Sequence, residues 1–206
     1  MYYRVIVSAT KSPRPFRTIQ EAISFAKTHP GEVSVATSHV GGVWWISTMY
    51  FQESIGTQLN VIPQAGGGAL SITQVAGGHT DLGILATGAA KSQIEAGNVK
   101  VLAVFGPKRF SGNYASVPTL KESGYNISFE SPQMIFGPPR MPPEIVRQLV
   151  KTFADVANSS EYVKFVEEQN AIPYYLSPEQ TLKRLDEQRE IYREILQKAG
   201  LMKEKR

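Results

Sequence analysis

The sequence contains no cysteine. That excludes a disulfide framework and any thiolate metal site, and it suits an oxidising compartment. Long apolar runs are also missing. No stretch approaches the roughly 20 residues that a membrane span needs. The opening segment "MYYRVIVSAT" lacks the long apolar centre of a signal peptide. The chain as read is therefore expected to be soluble, and work outside the cytoplasm would require a targeting segment not present in this stretch. Charge of one sign is scarce. Twenty-two Lys and Arg face 18 Asp and Glu, for a net charge of +4, and the two signs are interspersed. No nucleic-acid partner is expected from that pattern. Histidine occurs three times, at His29, His39 and His79. Their spacing builds no metal site, and none has a second His or carboxylate at helical i,i+4. No nucleophile–base pairing stands out, so neither a catalytic residue nor a cofactor is expected.

What is present is an ordinary globular balance: 206 residues, 42% hydrophobic and 19% charged. That is one large domain or two small ones. "YYRVIVSA" reads as a strand. "TIQE" reads as a capping box, with Thr18 accepting and Glu21 reaching back. Ile19, Ala22, Ile23 and Ala26 follow at helical spacing. "EVSVAT" is a strand, Gly41–Gly42 a loop, and Ile46, Met49 and Tyr50 mark a second helix ended by Gly56. "LNVI" is a strand and "PQAGGG" a loop. Ile72, Val75 and Ala76 mark a third helix. "TDLGIL", the loop "ATG", the helix "AAKSQIEAG" and the strand "VKVLAVFG" repeat the rhythm. A polar loop over 107–118, a short capped helix at "TLKESG" and strands at "YNISFES" and "MIFGPP" complete this half. Strand, glycine loop, helix, strand is the pattern of parallel βαβ units.

From about Met141 only helices are expected: "PPEIVRQLVKTFADVAN", "SSEYVKFVEEQ" and "SPEQTLKRLDEQREIYREILQKAG". The last is capped by Ser177, with Pro178 at its first position and Gln180 completing the box. "AIPYYLS" links them.

In a parallel sheet, ligands bind beyond the carboxyl ends of the strands. Three connections there carry glycine or hydroxyls: Thr37, Ser38, Gly41 and Gly42; Gly66, Gly67 and Gly68; Ala86 and Thr87. Glycines let backbone N–H groups approach an anion at a helix N-terminus. A tight turn with no ligand explains the triplet equally well when it is taken alone, and the Lys-Ser/Thr of a P-loop is absent. Three such connections at one sheet edge together read as a neutral cradle. His39 could donate to a ligand there or simply face solvent, and Asp81 fits turn or packing duties. Trp44 and Trp45 cannot both point inward, so one packs and the other faces the cleft or solvent.

The segments "TIQEAISFAKTHPGEVSVATS", "AGGHTDLGIL", "IEAGNVKVLAV", "KRFSGNYASVPTLKESGY" and "IFGPPRMPPEIVRQL" occur in an order that resembles the Bug, or TctC-like, family. These are extracytoplasmic solute receptors of tripartite tricarboxylate transporters. The resemblance implies an α/β fold: a periplasmic-binding-protein type II-like lobe with a mainly parallel sheet flanked by helices, plus C-terminal helices. It implies a non-enzyme in the periplasm that captures a small organic carboxylate and delivers it to membrane transporter subunits. The cradle residues above carry over as ligand contacts. Gly42 and Trp45, also expected as contacts, stand where members often have Ser and His. Gln64 and Ala65 replace a usual aromatic and lysine, and Pro132 a usual Trp. Recognition would then rest on backbone donors, and the tryptophans point to a larger or more apolar ligand.

By the same resemblance, residues 1–133 correspond to the second of two lobes. Residues 134–206 correspond to a return segment that packs on a first lobe preceding "YYRVIV", so a truncated receptor is expected. A single lobe is expected to bind weakly or not at all, because closure supplies much of the binding energy. Dimerisation through the C-terminal helices is a second way to cover their apolar faces. Rival readings are a sensing or effector α/β module and an α/β enzyme on a carboxylate or phosphate.

Overall fold

The structure, a computed structural model, describes residues 2–110, 114–131, 133–168 and 173–202. Part of the predicted 107–118 loop, Pro132, Gln169 and the start of the 171–177 linker lie outside the described residues.

The chain alternates as read: β1 (Tyr2–Ala9), α1 (Ile19–Thr28), β2 (Ser34–Ser38), α2 (Val43–Ile55), β3 (Asn60–Gln64), α3 (Gly67–Ala76), β4 (Leu82–Ala86), α4 (Thr87–Glu95) and β5 (Val99–Val104). β6 (Glu130–Ser131), α5 (Pro143–Ala157), α6 (Ser160–Glu168) and α7 (Pro178–Lys198) follow. The sheet runs β3-β2-β4-β1-β5, with β6 on β1. β2 is parallel to β3 and β4, while β1 is antiparallel to β4 and β5. β6 is likewise antiparallel to β1, so five strands share a direction and, among the described strands, β1 alone runs the other way. Pro63 lacks an N–H to donate and sits on the edge strand β3, where a ladder tolerates it.

Side chains alternate across the pleat and build a core on each face. Ile6, Leu82, Ile84 and Ala103 meet α1, α2 and the end of α7 on one face. Val5, Val7, Leu85 and Val101 meet α3 and α4 on the other. Ile19, Ala22, Ile23 and Ala26, spaced for one helical face, are all buried. Asp81 staples the far end of the sheet. It accepts from the Ser34 N–H at 2.9 Å and the Ser34 hydroxyl at 2.6 Å, the packing duty expected of it.

Several local expectations change. Glu21 reaches back to the Arg17 N–H at 2.7 Å, one residue before the N-cap Thr18. "TLKESG" forms its box, with Thr119 N–H to Glu122 at 2.7 Å and Glu122 N–H to Thr119 Oγ1 at 3.1 Å, but only turns follow. Gly124, at φ +92°, closes that turn before a helix can propagate. "YNISFES" pairs only at Glu130–Ser131, and residues 133–138 form no strand because no sheet edge reaches them.

The C-terminal helices behave differently from the rest. α5 has no buried residue; Val146, Leu149 and Phe153 are each about two-fifths exposed. α7 is divided: Leu182 is 63% exposed, while Ile195 is 4% exposed and packs on the lobe. Arg4 lies at that docking surface. It is buried in β1, donates to the Phe129 carbonyl at 3.1 Å and lies 4.3 Å from the Phe129 ring. Phe129 stacks in turn on Tyr192 of α7, with ring centroids 5.3 Å apart. Burial pushes the Arg4 guanidinium down to about 10, partly offset by Tyr192.

Candidate functional site

β2, β3 and β4 run parallel, so their carboxyl ends open on one edge of the sheet, each followed by a helix within a few residues. None of α2, α3 and α4 receives a side-chain hydrogen bond from its own N-cap residue: Gly42, Gly66 and Ala86. By contrast, Thr18 and Ser177 cap α1 and α7. Terminal N–H groups need partners, and a helix start also carries about half a positive charge. Three starts without a cap from their own N-cap residue thus gather at one sheet edge, an arrangement that suits an anion.

The glycines come in pairs with different duties. Gly41 and Gly67 have φ of +77° and +64° with open space around them, so they serve the backbone path. The glycines after them serve close approach. A Cβ on Gly42 would lie 2.6 Å from Ser38 Oγ, and one on Gly68 would lie 2.4 Å from the Trp44 ring and 3.0 Å from the Ala89 Cβ. The second contact also fixes the geometry of the site. Trp44 belongs to the start of α2, Gly68 to the first turn of α3 and Ala89 to the first turn of α4, so all three helix starts meet there.

Hydroxyls brace the junction from below. Ser38 Oγ accepts from the Trp45 N–H at 3.2 Å, acting as a cap supplied from the preceding strand. Ser71 Oγ lies 3.0 Å from the Thr37 carbonyl and 2.9 Å from that of Gly67, tying α3 to β2. The Thr37 and Thr48 hydroxyls are 3.1 Å apart, and Thr48 donates to the Trp44 carbonyl at 2.9 Å.

Of the expected contacts, Gly41, Gly42, Gly66, Gly67, Gly68 and Ala86 reach the surface, while Thr37, Ser38 and Thr87 are buried beneath it. The expected role of the Trp45 side chain needs correction. Its ring is 7% exposed and packs in the core between α2 and the sheet. Trp44 is the half-buried tryptophan, reaching past the end of the sheet to the α3–α4 side. Sequence spacing could not separate the two, because adjacent helical positions differ by only about 100°. His39 is exposed beside the junction, and its carbonyl accepts from Gly42 N–H at 2.9 Å. His29 stacks on Phe25, centroids 4.2 Å apart, and His79 is exposed. No cluster of three His, Asp or Glu side chains fit for a metal ion occurs among the described residues. None of the described helices is long and apolar enough to cross a membrane.

A mixed sheet covered on both faces, with helix starts gathered at one edge, defines a lobe of the periplasmic-binding-protein kind. The profile described as tripartite tricarboxylate transporter family receptor matches residues 2–201, and the chain belongs to that family. It is 29% identical over 189 residues to the UPF0065 protein in the gbd 5' region of Cupriavidus necator, covering 92% of this chain and 57% of that one. It is 28% identical over 177 residues to the BugT protein of Bordetella pertussis, covering 85% and 54%. Among solved structures, an R. palustris protein with adipate superposes with a TM-score of 0.80 at 25% identity, covering 97% of this chain and 66% of that one. The chain therefore spans just over half the length of these curated relatives.

Proposed function

We propose that this chain is the ligand-holding lobe of an extracytoplasmic solute receptor that captures a small carboxylate for a tripartite tricarboxylate transporter. The observation that carries the reading is the meeting of the α2, α3 and α4 starts at Trp44, Gly68 and Ala89, each start lacking a cap from its own N-cap side chain. The R. palustris relative solved with adipate supports a carboxylate as the solute. Gly41, Gly42, Gly66, Gly67, Gly68 and Ala86 present the backbone, while Thr37, Ser38 and Thr87 shape it from beneath. The working compartment is the periplasm, and the partners are the transporter's membrane subunits. The protein binds and releases; it does not turn its solute over.

Calorimetry with acetate, adipate and malate tests the reading. Gly67→Val should abolish anion binding, since a β-branched residue at φ +64° forces the α3 start to move. Unchanged affinity in that variant counts against the cradle. Turnover of a carboxylate by the pure protein, lost on changing one polar residue of the junction, would favour an enzyme instead.

A second reading concerns residues 134–206 as a return segment that packs on a further lobe. The unburied apolar face of α5 favours it, as does a groove of about 660 Å³ lined by residues including Phe153, Phe165 and Leu182. Pairing between copies would cover the same face. Sedimentation equilibrium separates the two: a monomer at micromolar concentration excludes pairing.

A further inference from the structure

The three strand-to-helix connections contain no Lys or Arg in residues 36–46, 62–72 or 84–90. Apart from His39, the exposed side chains in these connections are apolar. Val40 is 50% exposed, Val43 41% and Leu70 40%, and the half-buried indole of Trp44 lies with its edge against Gly68. Ala65 is exposed at the same edge. The one ionisable side chain in these connections is His39. Such a rim is poor at holding several charges and good at holding apolar surface.

We infer that the site selects a monocarboxylate whose body is apolar, with Trp44 as the residue that holds that body. This rests on the receptor reading above and narrows its solute class. The charge argument is a matching one. Three helix starts offer about one and a half positive charges in all. That suffices for one carboxylate. A second or third carboxylate would find no Lys or Arg in these connections to pair with. The packing argument points the same way. An indole offers a large rigid apolar surface, and contact with a ring or chain on the solute adds binding without adding charge. The lack of a Cβ on Gly68 lets the Trp44 ring lie against α3.

Calorimetry on the chain with five probes decides the matter: acetate, hexanoate, phenylacetate, malate and citrate. Phenylacetate and hexanoate should bind about tenfold or more tighter than acetate, as one aromatic or aliphatic contact implies. Malate and citrate should bind no tighter than acetate. Trp44→Ala should weaken phenylacetate about tenfold and leave acetate within about twofold, while Trp44→Phe should recover most of the loss. Phenylacetate should also quench tryptophan emission in the parent chain and not in Trp44→Phe, which reports on the ring even if Trp44→Ala does not fold. Malate or citrate binding tighter than phenylacetate would overturn the inference while leaving a carboxylate receptor in place. Equal loss of acetate and phenylacetate in Trp44→Ala would also overturn it, since Trp44 would then support the cradle and not the solute body. Binding of none of the five, even at tens of millimolar, would overturn the inference that this lobe holds the solute body, while leaving the receptor reading in place, since closure supplies much of a receptor's affinity.

Discussion

The lobe around the sheet and the helices after residue 140 share a pattern but not a fate. α1 and α5 both carry apolar residues at helical spacing. In α1 that stripe is buried against the sheet, with Ile19 at 0% and Ala26 at 1% exposure. In α5 the stripe is open, with Phe153 at 40% and Val156 at 50% exposure. Amphipathic spacing therefore determines which face of a helix wants burial, not whether anything buries it. α7 spans both conditions, docked by Ile195 and Tyr192 at one end and open at Leu182 at the other.

The largest effect should come from the core of the lobe. Phe105 is fully buried and meets Phe51 edge-on, centroids 6.1 Å apart, so Phe105→Ala should cost about 3–5 kcal/mol in a urea unfolding series. A loss under about 1 kcal/mol would break the contrast by making the lobe as loose as its appendage. Next comes the junction. Arg4→Met should change stability by no more than about 1 kcal/mol, because losing the Phe129 contacts is offset by removing a buried charge. A much larger loss would mean that α7 hangs on Arg4 alone.

Phe153→Ser on α5 should shift unfolding by less than about 0.5 kcal/mol, as expected of an exposed position. A loss near that of Phe105→Ala would show that a partner surface covers α5 in solution and would erase the contrast. The smallest effect concerns the 119–124 turn. The Thr119 N–H and the Arg109 guanidinium hold the Glu122 carboxyl below its ordinary 4.5. The folded form is thus favoured above that value, and the contribution fades as pH falls through the lowered pKa. Glu122→Gln should flatten that acid limb of the melting-temperature profile by slightly lowering stability at neutral pH, and leave the acid end nearly unchanged.

Much of this was legible along the chain. The strand and helix order followed from period and punctuation, and the Ser177–Gln180 box forms as read, with Gln180 N–H to Ser177 Oγ at 3.2 Å. Boundaries at the site were not legible. Gly67, Gly68 and Thr87 read as loop because glycine and threonine are poor helix interiors, yet they form the first turns of α3 and α4, where tertiary contacts outweigh propensity. The strand expected at "MIFGPP" had local pattern but no neighbouring edge to pair with.

By itself, then, the sequence determined the alternation of elements, the glycine-bearing connections and the absence of cysteine chemistry, since each depends on residues near one another in the chain. Three things depended on the tertiary structure. β1 turns against its neighbours in the centre of the sheet, because strand direction follows from which edges pair and not from local composition. Trp44, and not Trp45, reaches the meeting point, because that depends on how α2 lies over the end of the sheet. And α5 stays open while α1 is buried, because burial is decided by what stands opposite a helix, a property no helix carries within itself.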